Sequence, residues 1–318
     1  MANYLDPKND LIFKRIFGEH SALLISFLNA IMPLEKDRVI TEIEYLSAEQ
    51  VPNNPLKKNS IVDVKCKDNY KRQFIVEMQM FWSEAFNNRI VFNAGKVYVK
   101  QLNKNEEYDL LQPVYSLALL NDIFDRKTEQ FYHHFQIINC ENTNEIIHGL
   151  EFVLVELPKF RPQKWADRKM AALWLRFLNE VGENMKLLPP ELHENEHIRQ
   201  AAELCKEAAF TENELNAYDA YWDAVRVERT LRYSFLREGL REGLREGLRE
   251  GLKKGEEKGL KKGLKKGEEE GEKKGEQKTL KRIVLNGKQN GFSIEQIQAL
   301  TQLTAEQITE ILKQENVV

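Results

Sequence analysis

The sequence predicts an α/β (α+β) fold, with helices before, between and after a set of strands. Short apolar or alternating runs typical of strands follow a helical start, and longer runs with apolar residues at helical spacing lie between and after them. From about residue 166 onward the pattern is helical throughout. Because 318 residues are many for one compact core, we expect more than one structural unit.

The predicted elements begin with a helix over 7–31, which Asp6 caps and Pro7 opens, with a bend at Gly18. A second helix is predicted over 84–103, where apolar residues share one side. The predicted strands cover residues 39–48, 60–67, 73–80, 113–120, 131–138 and 150–157.

These patterns divide the chain into four regions. A sheet-containing domain is predicted over 1–165 and a helical region over 166–236. In 237–278, glycine recurs at every fourth position and the remainder is almost entirely Arg, Lys, Glu and Leu. The last region, 279–318, is predicted to be a small module with two short helices, each opened by Ser or Thr with Gln three residues later.

Composition and net charge limit the classes of function that the sequence allows. Charged residues make up 31% of the chain, but the net charge is only −3, so any contact with nucleic acid has to be local. The first residues lack the apolar core of a signal peptide, and the apolar runs are too short to span a bilayer, so we expect no membrane association. Cys66, Cys140 and Cys205 form no CxxC pair, which predicts buried, reduced thiols in a cytoplasmic protein.

Acidic residues interrupt two of the predicted strands, in the stretch IVDVKCKDNYKRQFIVEMQM (61–80). Because strand side chains alternate, Asp63 and Lys65 share one face and Glu77 and Gln79 share the corresponding face of the next strand. The opposite face of the first strand is predicted to carry Val62, Val64 and Cys66. A turn centred on Tyr70 would place Asp63 opposite Glu77.

Two like charges opposite each other destabilise a sheet unless a cation binds between them. Mg²⁺ takes oxygen ligands and commonly uses one or two carboxylates with water and substrate phosphate. From the residues alone, the alternative is a polar face whose acids are simply hydrated.

The order of these segments resembles the PD-(D/E)XK nuclease superfamily and, within it, the recombination-promoting nuclease (Rpn) and transposase family. The resemblance extends over residues 5–160 and rests on these segments in order: DPKNDLIFKRIFG, IVDVKC, VEMQM, NNRIVFNAGKVYVKQL, PVYSLALL and ELPKF. It implies a restriction-endonuclease-like core with a mixed central sheet flanked by helices, followed by a helical region and a long helical arm formed by the glycine repeat.

The resemblance also implies an active site. Asp63 and Glu77 correspond to the metal-binding, catalytic acids, and Gln79 stands where the superfamily usually has a lysine. A glutamine can orient water by hydrogen bonding but carries no charge. The backbone carbonyl of Met78 and the side chain of Asp10 are further candidate ligands for Mg²⁺ or Mn²⁺, although Asp10 also fits an exposed first-turn residue favoured by the helix dipole. No small-molecule cofactor is expected.

Basic and aromatic residues around this site are candidates for binding DNA. Positive side chains would bind phosphates, and a tyrosine could stack on a base. The candidates are Lys65, Arg89, Lys96, Tyr98, Lys100 and Gln101. The alternative for Lys65 is a solvated strand residue, and for Tyr98 a core position.

The implied function is metal-dependent DNA endonuclease activity, linked to recombination, mobile elements or phage defence. One alternative is a catalytically inactive DNA-binding or regulatory protein, which the glutamine at position 79 favours. Another is an interaction protein that acts through the repeat and the tail.

The glycine repeat has a period of four, which exceeds the helical 3.6, and each interior glycine costs a helix about 1 kcal/mol relative to alanine. The segment is therefore either a flexible charged linker or a helix that pairs with copies of itself, and we favour the helix and a homo-oligomer.

We do not interpret two histidine patterns in the sequence as metal sites. HENEH (193–197) matches the zinc-peptidase pattern, but Glu196 places a charge where such motifs carry none. His133 and His134 are neighbours on a predicted strand, so they point to opposite faces.

Overall fold

A computed structural model describes residues 4–50, 60–162, 169–183 and 185–314 of the protein. The chain divides into two compact units, Met1–Arg229 and Thr230–Val318. The first unit takes in the predicted domain 1–165 together with most of the predicted helical region. The predicted boundary between those two regions, at residues 165 and 166, lies outside the described residues.

A mixed six-stranded sheet forms the centre of the first unit, as predicted. Its strands lie in the order β1 (Ile43–Tyr45), β4 (Val64–Asp68), β5 (Gln73–Gln79), β6 (Val114–Leu120), β8 (Ile146–Glu156) and β7 (Tyr132–Ile138). β5, β6 and β8 are parallel, and the strands beyond them on either side are antiparallel to their neighbours. β2 (Glu49–Gln50) and β3 (Ser60–Ile61) form a separate pair.

Helices cover both faces of this sheet. The residues of one face pack into the main hydrophobic core with α1 (Asp10–Glu19), α2 (Ser21–Ile31), α4 (Lys169–Glu180) and α6 (Glu196–Leu204). The other face packs in two smaller clusters against α3 (Glu84–Val99). Large side chains with no exposed surface fill the main core, namely Phe13, Phe17, Phe27, Trp174 and Phe177.

The prediction of one helix over 7–31 with a bend at Gly18 was wrong. α1 and α2 are separate, because His20 between them adopts an extended backbone with φ −119° and ψ 92°. The predicted cap at Asp6 was also wrong. The Asn9 side chain accepts the first hydrogen bond of α1, from the backbone N–H of Leu11, whereas Asp6 closes a turn by accepting from the N–H of Lys8.

The predicted strand over 60–67 is interrupted at residues 62 and 63, where Asp63 forms a bend. The interruption changes which face each side chain occupies. Val62 packs in the α3-side cluster with Ile75, whereas Val64 and Cys66 pack in the main core. The prediction that these three residues share one face was therefore wrong for Val62.

All three cysteines are free thiols. Cys66 and Cys205 are buried, but Cys140 is exposed, so the prediction of burial was wrong for that residue. Burial raises the pKa of Cys66 to about 12, which keeps this thiol protonated and unreactive.

α7 (Glu212–Gln289) is a single helix that includes the glycine repeat. It begins with the predicted capping box, in which the Thr211 N–H donates to Glu214 and the Glu214 N–H donates to the Thr211 hydroxyl. In the second unit, α8 (Ile294–Thr301) and α9 (Ala305–Gln314) pack with the end of α7 around a small core. Both short helices carry the predicted Ser or Thr cap with its glutamine.

Candidate active site

The hairpin of β4 and β5 brings the two predicted acids to the same end of the sheet. The two strands pair from Lys67 with Gln73 to Val64 with Val76. This is the register predicted from a turn centred on Tyr70, and one further step along it leads to Asp63 and Glu77. Asp63 and Glu77 are therefore the next residues beyond the last pair of the hairpin, Val64 and Val76.

A buried ion pair at the turn holds this register. Asp68 accepts from the backbone N–H of Tyr70 and of Arg72, and from the Arg72 guanidinium at 2.7 Å. Both side chains are almost completely buried, with 0% of Asp68 and 2% of Arg72 exposed. Because the carboxylate has a donor for each oxygen, the charge is well paired, and the turn fixes which residues of the two strands meet.

Asp63 is held in place by the neighbouring strand. Its Oδ2 accepts a hydrogen bond of 2.7 Å from the backbone N–H of Met78. Burial raises the pKa of Asp63 to about 6, and the charge of Asp10 adds to the increase, while the Met78 hydrogen bond and Lys14 oppose it. Such a shift favours a proton or a cation at this carboxylate.

Glu77 lies on the face of the sheet that α3 covers, and only 5% of its surface is exposed. Its Oε1 accepts a hydrogen bond of 3.1 Å from the Asn93 side chain. Within the described part of the chain, Oε2 of Glu77 and Oδ1 of Asn93 are buried without a hydrogen-bond partner. Burial raises the pKa of Glu77 to about 7, and the nearby charge of Asp63 adds to the increase.

Gln79 uses both ends of its side-chain amide. Its nitrogen donates to the backbone carbonyl of Phe81 at 2.8 Å, and its oxygen accepts from the Arg89 guanidinium at 2.6 Å. The amide is therefore engaged by the protein itself, and its oxygen points to a side chain of α3.

The Met78 carbonyl faces the Asp63 side of β5. The Gln79 carbonyl accepts from Asn121, beyond β6, and successive carbonyls of a strand alternate in direction. The Met78 carbonyl therefore points the other way, as does the Met78 N–H that reaches Asp63.

Asp10 lies close enough for its charge to affect Asp63, but Lys14 neutralises much of it at 2.8 Å. Lys14 is also 4.0 Å from Asp63. In the described residues, no group of three or more His, Cys, Asp and Glu side chains is arranged to hold a metal ion. The acidic part of the site thus consists of two carboxylates, with Asp10 at its edge.

The other predicted DNA contacts lie further along α3 and on β4. Burial and the charge of Lys100 lower the pKa of Lys65, so these two lysines are neighbours. Lys96, which is half-buried, lies over the ring of Phe92 at 5.3 Å. These lysines form a positive region beyond the acids.

Tyr98 and Gln101 make contacts within the protein. The Tyr98 side chain packs against the α3-side cluster and lies beside Gly149, where an added Cβ would be 3.4 Å from its hydroxyl. The Gln101 side chain donates to the carbonyl of Gln112 at 2.8 Å and accepts from its N–H at 3.0 Å. Both residues thereby help to hold the start of β6.

Two residues of the site were missed from the sequence. Asn93 occupies a helical position that continues the buried stripe of Phe86, Ile90 and Val97, and a lone amide in an apolar stripe was the signal. Tyr221 of α7 lies close enough to Asp10 and Asp63 for their charges to raise its pKa, although burial is the larger cause. Nothing in the local sequence of α7 indicated that proximity.

In the structure, the two histidines of each pattern belong to different helices or have different acidic partners. His193 belongs to α5 (Pro190–Glu194) and His197 to α6, because Asn195 ends one helix and caps the next. His133 pairs with Glu156 at 2.9 Å and His134 with Glu151 at 2.8 Å.

None of the described helices has the length and apolarity needed to cross a bilayer. No curated protein and no solved structure matches the chain significantly. A family model does match residues 7–229, nearly the whole of the first unit, and it describes the PD-(D/E)XK nuclease family transposases. With the mixed sheet and the acids at the end of its β4–β5 hairpin, this match shows that the chain belongs to that family.

Proposed function

We propose that the protein is a metal-dependent DNA endonuclease that hydrolyses phosphodiester bonds. Its family makes it a nuclease-type hydrolase, for which DNA is the implied substrate. The observation that carries the finer proposal is the environment of Glu77. Its carboxylate is buried, and Oε2 has no donor among the described residues, beside a second carboxylate with a raised pKa.

The residues fit a hard divalent cation, Mg²⁺ or Mn²⁺. Asp63, Glu77 and the Met78 carbonyl supply oxygen atoms, with Asp10 further out, and oxygen is the ligand these ions prefer. When bound, such an ion polarises a phosphoryl oxygen and lowers the pKa of a bound water. The unpartnered Oε2 of Glu77 is the atom that most requires such a partner.

The chain's own groups prepare this site. The Met78 N–H fixes the direction of the Asp63 carboxylate, and Asn93 fixes that of Glu77. Because the pKa of Glu77 is about 7, its carboxyl is partly protonated at neutral pH and has to release that proton before it can bind a cation.

The experiment is nicking of supercoiled plasmid by the purified full chain with Mg²⁺ or Mn²⁺, beside Asp63→Asn and Glu77→Gln. The proposal predicts nicking by the unchanged protein only with metal, and loss in both variants. Nicking that survives both substitutions would contradict the assigned site.

The alternative is a catalytically inactive DNA-binding or regulatory protein. The engagement of both ends of the Gln79 amide favours it, because that side chain is then not available to orient water. Retained DNA binding without nicking under either metal supports this alternative.

We also propose that the glycine repeat associates with copies of itself. In its support, Leu240, Leu244, Leu248 and Leu252 are each between 61% and 73% exposed. The glycines beside them have no neighbouring atom within 4 Å, so another helix could approach closely there.

We further propose that the protein is cytoplasmic, because its cysteines are free. The family resemblance suggests a role in recombination, mobile elements or phage defence.

A further inference from the structure

A phosphodiester is an anion, and the candidate site presents two carboxylates to it. A divalent cation would only balance these two negative charges, so binding of the anionic substrate requires further positive charge beside the acids. Lys14 is already paired with Asp10 at 2.8 Å. The residue that meets this requirement from the other side is Arg89, on α3.

The Arg89 side chain is held by two contacts. Its Nη2 donates to Oε1 of Gln79 at 2.6 Å, and its guanidinium carbon lies 4.8 Å from the ring centroid of Phe86. Phe86 is itself buried, with 2% of its surface exposed, so the ring is a fixed platform. Arg89 remains solvent-exposed, as a group that meets a substrate has to be.

The charge of Arg89 reaches both acids. It opposes the increase in pKa at Glu77, where it is the strongest opposing influence, and also at Asp63. Glu77, Gln79 and α3 lie on the same face of the sheet, so the guanidinium and Glu77 border the same space.

We infer that Arg89 binds the phosphate that is cleaved and that Gln79 positions Arg89 for this role. The inference rests on the proposed endonuclease function and names a further catalytic residue for it. A guanidinium carries five N–H donors in a planar fork that matches two phosphate oxygens, and only one of these donors is used by Gln79.

The role of Gln79 follows from hydrogen-bond chemistry. An amide oxygen can accept a hydrogen bond from a guanidinium. The ammonium group of a lysine has donors only, and its positive charge would repel the guanidinium. With Phe81 holding the amide nitrogen, the oxygen is directed to Arg89. A lysine at position 79 would therefore displace Arg89 while supplying a charge of its own at nearly the same place.

The test is single-turnover plasmid nicking at saturating Mg²⁺ by the full chain and its Arg89→Met variant. We expect the rate to fall about 10²- to 10³-fold, the usual cost of losing one donor to the reacting group. Mn²⁺ should still bind and the melting temperature should be unchanged, because Arg89 is exposed and is not a metal ligand. Arg199→Met, which removes the same charge from α6, is the matched control and should nick at the normal rate.

Two further variants separate positioning from a merely structural role. Gln79→Lys alone should lose rate, and combining it with Arg89→Met should recover part of that loss, because the new ammonium no longer meets the guanidinium. A double variant no faster than Gln79→Lys overturns the role given to Gln79. If Arg89→Met melts at a lower temperature, Arg89→Lys, which keeps the charge but loses the fork, replaces it and should still be slow.

The outcomes distinguish this inference from the proposed function. If the unchanged protein nicks DNA and Arg89→Met nicks equally fast, the arginine inference is overturned and the endonuclease proposal stands. If the unchanged protein does not nick with Mg²⁺ or Mn²⁺, the endonuclease proposal fails, and the role of Arg89 in cleavage fails with it.

Discussion

The backbone N–H of Met78 donates a hydrogen bond of 2.7 Å to Oδ2 of Asp63. Where the β4–β5 pairing ends, a side-chain carboxylate thus accepts the hydrogen bond that a backbone carbonyl would accept within the sheet. The bend at Asp63 makes this possible, because it takes the residue out of β4. One consequence is a carboxylate fixed beside Glu77. Another is a backbone carbonyl, that of Met78, directed to the same side.

Cation binding at this site is expected to depend steeply on pH. The pKa values of about 6 for Asp63 and about 7 for Glu77 mean that protons compete with the cation at neutral pH and below. Mn²⁺ affinity should therefore rise as pH increases from 6 to 8, by up to about tenfold per pH unit for each carboxyl that titrates. Isothermal titration of Mn²⁺ at pH 6, 7 and 8 measures this. An affinity independent of pH would contradict the raised pKa values.

Glu77→Gln is expected to stabilise the metal-free protein above pH 7. The carboxyl has a folded pKa of about 7 against an ordinary 4.5, so the folded state binds the proton more strongly and stability falls as pH rises through this interval. The neutral amide of Gln avoids this loss of unfolding free energy, which corresponds to about 3 kcal/mol. The benefit should shrink as pH falls toward 4.5.

Denaturation followed by tryptophan fluorescence measures this effect, because all four tryptophans precede residue 230 and report the first unit. Glu42→Gln, at an exposed position, is the control and should change nothing. If Glu77→Gln and the unchanged protein are equally stable at pH 8 without metal, burial of the Glu77 carboxylate does not destabilise the protein.

The turn that sets the register should be sensitive to loss of its ion pair. Asp68→Ala leaves the Arg72 guanidinium buried without its partner, which typically costs 3–5 kcal/mol, about as much as a large core truncation. Glu44→Ala removes a partner of similar charge from an exposed pair with Lys67 and should cost less than about 1 kcal/mol. Comparable losses in the two variants, measured by denaturation, would exclude the turn as the determinant of register.

Periodicity predicted the individual strands and the regions of helix, the family resemblance predicted the mixed sheet, and a turn centred on Tyr70 predicted the observed pairing of β4 with β5. Alternation failed at Val62, because the bend at Asp63 reverses the faces and no residue type announces such a bend. The link between Gln79 and Arg89 joins a strand to a helix, and contacts of that kind depend on how elements pack, which local sequence does not specify.

Association through the glycine repeat makes a prediction of its own. Replacing Leu240, Leu244, Leu248 and Leu252 with alanine keeps a good helix former at each position but removes the exposed apolar groups. The unchanged chain should sediment as an oligomer and the variant as a monomer, with the same helix content by circular dichroism. A monomeric unchanged chain at every concentration would rule out self-association.

Titration of the purified protein with Mn²⁺ at pH 8 tests most directly whether Asp63 and Glu77 share one divalent ion. The measurement follows the Mn²⁺ signal by electron paramagnetic resonance for the unchanged protein, Asp63→Asn and Glu77→Gln. We predict binding by the unchanged protein and a loss of at least about tenfold in affinity in each variant. Binding that is equally tight in all three proteins, or absent from the unchanged one, would contradict the shared site.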